Sequence, residues 1–168
     1  LNHIYIRFNW GDIEPKEGKC NWAVIDRIMD AWGKKGYTFA FRPCSFQGNY
    51  FPATPDWVLE AGAKTKPFFI DNMWTKEPVY DDPIYLEKLR NFMMAFGERY
   101  GHDPRVEYVD IGTFGHWGEA NASIVYPTEA VYKHLQMHLD ALPDTYLGFN
   151  DDFIMGRIYR ELEKGECQ

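Results

Sequence analysis

The sequence is short of serine and cysteine and has no concentrated positive charge, and each shortage removes a class of function. Its only serines are Ser45 and Ser123, and neither sits in the Gly-x-Ser-x-Gly turn that lifts a nucleophile above a sheet. The three cysteines, Cys20, Cys44 and Cys167, are widely spaced with no Cys-x-x-Cys pair. Free thiols are the expectation, with one bridge as the alternative. Lys and Arg number 18 against 25 Asp and Glu, for a net charge of −7, and the two signs are interleaved. That excludes the basic footprint of a nucleic-acid binder. No apolar run approaches the roughly 18 residues of a membrane span. Neither Gly-x-Gly-x-x-Gly nor Gly-x-x-x-x-Gly-Lys-Ser/Thr occurs, so nucleotide binding has no support. The first residue is Leu1, and Arg7 and Trp10 fall where the apolar core of a targeting signal would lie. The chain therefore reads as a processed or excised piece. A signal lost upstream would make it secreted or periplasmic.

Aromatic side chains are abundant. There are 12 Phe, 11 Tyr and 6 Trp, or 17% of the residues. Phenylalanine serves many cores, so the Trp and Tyr excess is more informative: their amphipathic rings cover sugar faces while their polar edges find partners.

The 168 residues suffice for one domain with a core, taken as residues 1–168. His3 to Asn9 alternates as a strand. Asn21 is expected to cap a helix running through Lys35, with Ile25, Ile28, Met29 and Trp32 as its apolar stripe. Tyr37 to Arg42 follows as a strand that Pro43 ends. Cys44 to Asp82 reads as a long irregular connection with a short helix at Asp56 to Ala61, of the kind that carries function. Asp82-Pro83 opens a strong helix as N-cap and first helical residue, with Leu86, Leu89, Met93 and Phe96 buried. Val106 to Gly112 is a third strand. Residues 128–142 form a helix with Val131, Leu135, Leu139 and Leu142 inward. Tyr146 to Asn150 is a fourth strand, and residues 153–164 look helical.

This strand–helix alternation predicts an α/β fold with a parallel sheet covered by helices. Strand parity narrows it. One face is apolar: Ile6 and Phe8, Phe39 and Phe41, Val109 and Ile111, Leu147 and Phe149. The other carries Arg7, Asn9, Arg42, Asp110 and Asn150. A doubly wound sheet buries both faces under helices. A polar face near strand C-termini fits the interior mouth of a (β/α)8 TIM barrel. An ordinary interior ion pair between Arg7 and Asp110 is the plainer account of those two charges. A whole barrel takes about 250 residues, so four parallel strands with outer helices make a partial barrel. Its exposed edges need the remainder of the barrel or a partner chain.

The segment Ile111-Gly112-Thr113-Phe114-Gly115-His116-Trp117-Gly118-Glu119 then reads as a strand that ends by delivering Glu119 into an aromatic-lined opening. A carboxylate beside Trp and His at a strand's C-terminal end suits glycoside hydrolysis, although that chemistry ordinarily needs two carboxylates. His134 and His138 share helical spacing but have no evident third ligand, so no metal site is expected and the two are read as exposed. No cofactor is called for.

Several stretches resemble β-galactosidase-like glycoside hydrolases. Arg7-Phe8-Asn9-Trp10 followed by Glu14-Pro15-Lys16-Glu17-Gly18 resembles the family's second-strand region, with Cys20 near its usual aromatic and Trp22 in that aromatic's place. Pro55-Asp56-Trp57-Val58 is similar to the segment after the third strand. Arg99-Tyr100-Gly101-His102-Asp103-Pro104-Arg105-Val106 is similar to the lead into the fourth. The resemblance covers strands two to five. It implies a retaining barrel with Glu119 as general acid/base on strand four and a nucleophile on strand seven, which nothing here matches. The family has Asn before this Glu; here the residue is Gly118. Glu119 is thus the catalytic candidate. Trp10, Arg7, Asn9, Arg42, His116, Trp117, Asn150 and Asp151 are the substrate-binding candidates, and an oligosaccharide or polysaccharide is the expected ligand. A non-catalytic carbohydrate-binding or assembly module on the same scaffold is the alternative.

Overall fold

The structure is a computed structural model and describes residues 2–48 and 53–155. Strand β1, His3–Asn9, runs directly into a single helical turn, α1, Trp10–Ile13. Helix α2, Ala23–Gly33, leads to β2, Thr38–Cys44. A short α3, Asp56–Glu60, precedes β3, Thr65–Ile70, and β4, Met73–Pro78. The long helix α4, Pro83–Tyr100, is followed by β5, Val106–Asp110. Two 3-10 turns, His116–Gly118 and Asn121–Ile124, then lead to α5, Thr128–Ala141, and β6, Tyr146–Gly148.

Strands β1, β2, β5 and β6 form one sheet in that order, and every neighbouring pair is parallel. Sequential parallel strands with helical crossovers are the build of a (β/α)8 barrel, here in part. The outward face meets the helices. Phe8, Phe39, Phe41 and Val109 are buried against Phe92, Phe96 and Tyr100 of α4. The α4 start is as expected, with Asp82 Oδ1 accepting from the N–H groups of Ile84 and Tyr85 at 3.0 Å each. Helices α4 and α5 touch backbone to backbone, and a Cβ on Gly97 would lie 1.8 Å from the Ala141 carbonyl oxygen.

Several sequence expectations need correction. Helix α2 begins after Trp22 with no side-chain cap, so Asn21 contributes its carbonyl rather than its amide. Pro43 does not end β2. It pairs with Phe8 beyond Phe41, the last β2 residue paired to β5, where a missing N–H removes no bond on that side. The long connection is not irregular throughout: β3 and β4 form an antiparallel hairpin. Its two-residue turn has Asp71 at φ 52° and Asn72 at φ 60°, the left-handed pair that suits strand twist.

Helix α5 keeps Val131, Leu135 and Leu142 inward as expected, but not Leu139. Ala130, Val131, His134, Met137, His138 and Ala141 are buried, while Leu139 is 53% exposed. Hydrogen bonding sets this face. The His134 Nε2–H donates to the Tyr80 carbonyl at 2.9 Å, which leaves Nδ1 to accept from the Thr113 hydroxyl at 2.9 Å. The His138 Nδ1–H donates to the His134 carbonyl at 2.8 Å. Neither histidine is exposed; burial pushes them down to about 3 and about 4, so both rings are neutral at pH 7. Cys20 and Cys44 are free thiols, whereas Cys167 lies outside the described residues. The helix expected over 153–164 falls largely outside them as well.

Candidate active site

The Gly112–Glu119 segment leaves the end of β5 and is fastened from below at Thr113. The Thr113 carbonyl accepts from Ser45 Oγ at 2.9 Å and from the Tyr85 hydroxyl at 3.4 Å, while its own hydroxyl meets His134. Phe114 is fully buried. Above this anchor the backbone is contorted. Trp117 has φ 58° and Ala120 φ 60°, a left-handed conformation that costs a non-glycine residue about 1–2 kcal/mol. The contortion is held by bonds from Trp117 N–H to the Phe46 carbonyl at 2.9 Å and from Ala120 N–H to the Phe114 carbonyl at 2.9 Å. Asn121 Oδ1 accepts from the His116 N–H at 2.9 Å. Such strain, over-determined by its surroundings, clusters at functional sites. Here it delivers Glu119 to the surface with its side chain 38% exposed.

Arg42 reaches the same place from β2. Its Nη1 is 3.8 Å from Glu119 Oε1, while Nε and Nη2 each lie 3.3 Å from Asp110 Oδ2. The Tyr5 hydroxyl donates to the same Asp110 oxygen, and partial burial together with that bond pushes the phenol well up. One guanidinium therefore joins two carboxylates. Asp110 pairs with Arg42 and Tyr5, not with Arg7. Behind them Cys44 is buried, its Sγ 3.6 Å from the Trp117 carbonyl, and burial pushes its thiol up to about 12, so it is no nucleophile.

The remaining candidates divide. Trp117 is 40% exposed and stacks on His116, with ring centroids 3.9 Å apart and planes 24° apart. His116 itself is buried between Trp117, Phe46 and Phe68, and burial lowers its pKa. It braces Trp117 rather than facing outward. Asn9 is buried at the end of β1, donating to Asp12 Oδ2 at 3.0 Å and accepting from Gln47 Nε2. Arg7 is exposed on the face that carries Arg42.

Trp10 is not at the mouth at all. It is fully buried against Trp57, Tyr85 and Phe92, and its indole N–H donates to Glu14 Oε2 at 2.6 Å. Asn150 accepts from the Asp152 N–H at 3.0 Å and so starts the helical turn at 152–155, with the exposed Asp151 just before it. Sequence reasoning did not single out Tyr5, Gln47 or Thr113 as part of the site. Only Tyr5 gave a signal, through its parity with Arg7.

Gly118 explains the departure from the Asn-Glu pattern. Its φ is 69°, and a Cβ there would lie 2.4 Å from the Gly112 carbonyl oxygen. No asparagine fits without moving the loop.

A carboxylate, an arginine and a tryptophan carried on loops and strand ends of a parallel barrel sheet put this chain in the class of TIM-barrel glycoside hydrolases. Within that class it belongs to the β-galactosidase family, glycoside hydrolase family 42, whose model matches residues 2–119. A comparison with curated proteins gives no match. Among solved structures, the exo-β-1,4-mannosidase Op5Man5 from Opitutaceae bacterium strain TAV5 has a TM-score of 0.60 at 14% identity, over 88% of this chain and 24% of that one. The GH5_18 protein from Streptomyces cattleya, solved with GlcNAc, has 0.56 at 12% identity, over 88% and 35%. Endo-glycoceramidase II from Rhodococcus sp., solved as a lactosyl-enzyme intermediate, has 0.55 at 16% identity, over 87% and 40%. At these identities the likeness shows the fold. The chain spans well under half the length of each of these structures.

Proposed function

We propose that these residues belong to a retaining glycoside hydrolase acting on a β-linked saccharide, with Glu119 as acid/base and the nucleophile outside the 168 residues. The observation that carries the reading is the placement of Glu119: a strained, well-anchored loop that also carries the exposed Trp117 holds it half-open at the sheet's C-terminal end, beside Arg42. Glu119 gives its proton to the leaving oxygen as the glycosidic bond breaks, then as carboxylate takes a proton from the water that releases the sugar. Arg42 faces the carboxylate form left by the first step. The Rhodococcus neighbour was solved as a glycosyl-enzyme species, which is the intermediate of this chemistry. Trp117 offers a ring face to the sugar. The remainder of the barrel, or a partner chain, covers the free edges at β1 and β6, where Tyr146 is 84% exposed.

In the full-length protein, Glu119→Gln is expected to lower kcat/KM on β-glycosides by about 10²–10⁴-fold while saccharide binding persists. Unchanged turnover removes Glu119 from the role. The geometry of Gly118 favours a second reading, a non-catalytic saccharide-binding module, because the family's Asn has no room there. That reading requires no hydrolysis by the full-length protein, and binding by calorimetry that falls with Trp117→Ala but not with Glu119→Gln.

A further inference from the structure

Among the described residues, the inward face of the sheet holds one cation without a partner. Arg7 and Arg42 stand directly opposite each other in the β1–β2 register. Like charges so placed repel, which is a cost a packed protein tolerates where something offsets it. For Arg42 the offset is visible: Asp110 at 3.3 Å and Glu119 at 3.8 Å, with its side chain only 16% exposed. Arg7 is exposed and makes no ion pair or side-chain hydrogen bond among the described residues. Its neighbour Asn9 is committed to Asp12 and Gln47. Arg7 nevertheless belongs to the site. It stands across the sheet from Arg42, the residue that meets both Asp110 and Glu119. Both of those carboxylates go to Arg42, which leaves Arg7 uncommitted among the described residues.

We propose that Arg7 receives the carboxylate of an acidic sugar, so that the saccharide taken by this site carries a uronic acid; this rests on the glycoside-hydrolase reading of Glu119. A guanidinium presents two parallel N–H groups at the spacing of carboxylate oxygens, a match that a neutral hydroxymethyl group cannot make. The net charge of −7 opposes an anion at long range, but salt screens that field beyond about 10 Å at 0.1 M, whereas the contact at Arg7 is short.

The test uses two pairs of 4-nitrophenyl substrates that differ only at C6: β-glucoside against β-glucuronide, and β-galactoside against β-galacturonide. Hydrolysis is measured with the full-length protein, and binding by calorimetry with its Glu119→Gln variant. In at least one pair the acidic member is expected to be preferred by tenfold or more. Arg7→Gln is expected to reduce that acidic-to-neutral ratio at least tenfold, and Arg7→Lys to keep part of it. A ratio of one or below in both pairs overturns the proposal, as does a ratio that Arg7→Gln leaves unchanged. If neutral substrates are cleaved and acidic ones neither bound nor cleaved, this inference fails and the hydrolase stands. If acidic ligands bind through Arg7 and nothing is cleaved, the hydrolase fails and the acidic-sugar site stands.

Discussion

Two regions of this molecule are built from the same residue types and do opposite things. Around Trp10, a tryptophan and a glutamate are sealed in. Glu14 accepts from the Trp10 indole at 2.6 Å and from the Gly18 N–H at 2.7 Å, while its own carbonyl accepts from the Trp57 indole at 2.9 Å. Burial pushes the Glu14 carboxyl up, against those two donors. Around Trp117, a tryptophan and a glutamate are held open, the one 40% and the other 38% exposed, on a backbone with two left-handed non-glycine residues. The Trp-x-x-x-Glu-Pro-x-x-Gly stretch, which is a large part of the resemblance, therefore fastens the loop after β1 to the core. A recognisable motif and an open, solvent-facing carboxylate are different things. What separates them here is whether hydrogen bonds close on themselves or leave a carboxylate facing solvent.

The comparison breaks most visibly through the sealed region. Trp10→Ala removes a fully buried indole and strands the Glu14 carboxylate, so unfolding stability should fall by about 3–5 kcal/mol in a denaturant titration. A loss under 1 kcal/mol would mean that the cluster is not the fastening described. The open region should respond in activity instead. Gly118→Ala drives a Cβ to within 2.4 Å of the Gly112 carbonyl oxygen, and the loop must shift under Glu119. Turnover by the full-length protein should fall about 10²-fold, since a displacement near 1 Å has that effect, with a smaller loss of stability than Trp10→Ala causes. Equal losses of stability and turnover would erase the distinction.

Acid sharpens it from another side. The folded values of His134 and His138, about 3 and about 4, lie below the ordinary 6.5, so on acidification the unfolded chain takes up protons first. Their contribution is whole above about pH 6.5 and is lost as pH falls toward 4 and then 3. Between pH 7 and pH 5 stability should drop by about 2–4 kcal/mol, read as a lower urea midpoint. Because His134 holds Thr113 under the Gly112–Glu119 loop, the loss should begin beneath the open region. A flat midpoint over that window would contradict the buried, neutral rings.

Much of the fold was legible locally. Alternation in His3 to Asn9 and Asp82-Pro83 before an amphipathic run are decisions of the backbone and its nearest neighbours, and they hold in the structure. The polar parity of Arg42 and Asp110 pointed to the barrel interior for the same reason, since side chains alternate whatever the surroundings. The errors came where a distant partner outweighed the local pattern. Leu139 lost its place in the core because His134 and His138 found Thr113, Tyr80 and the helix backbone. Trp10 left the mouth because Glu14, Trp57 and Phe92 formed a pocket for it.

The sequence by itself determined the alternating parallel architecture, the sides of the strands and the presence of a carboxylate after the third of them, because periodicity and turn chemistry act over a few residues. Only the tertiary structure decided which tryptophan is buried and which is open, that Asp110 and Glu119 share Arg42 while Arg7 stands apart, and that the residue before Glu119 can be nothing larger than glycine. Those outcomes depend on side chains that meet across tens of residues of chain, where burial and hydrogen-bond satisfaction, not local pattern, choose the partner.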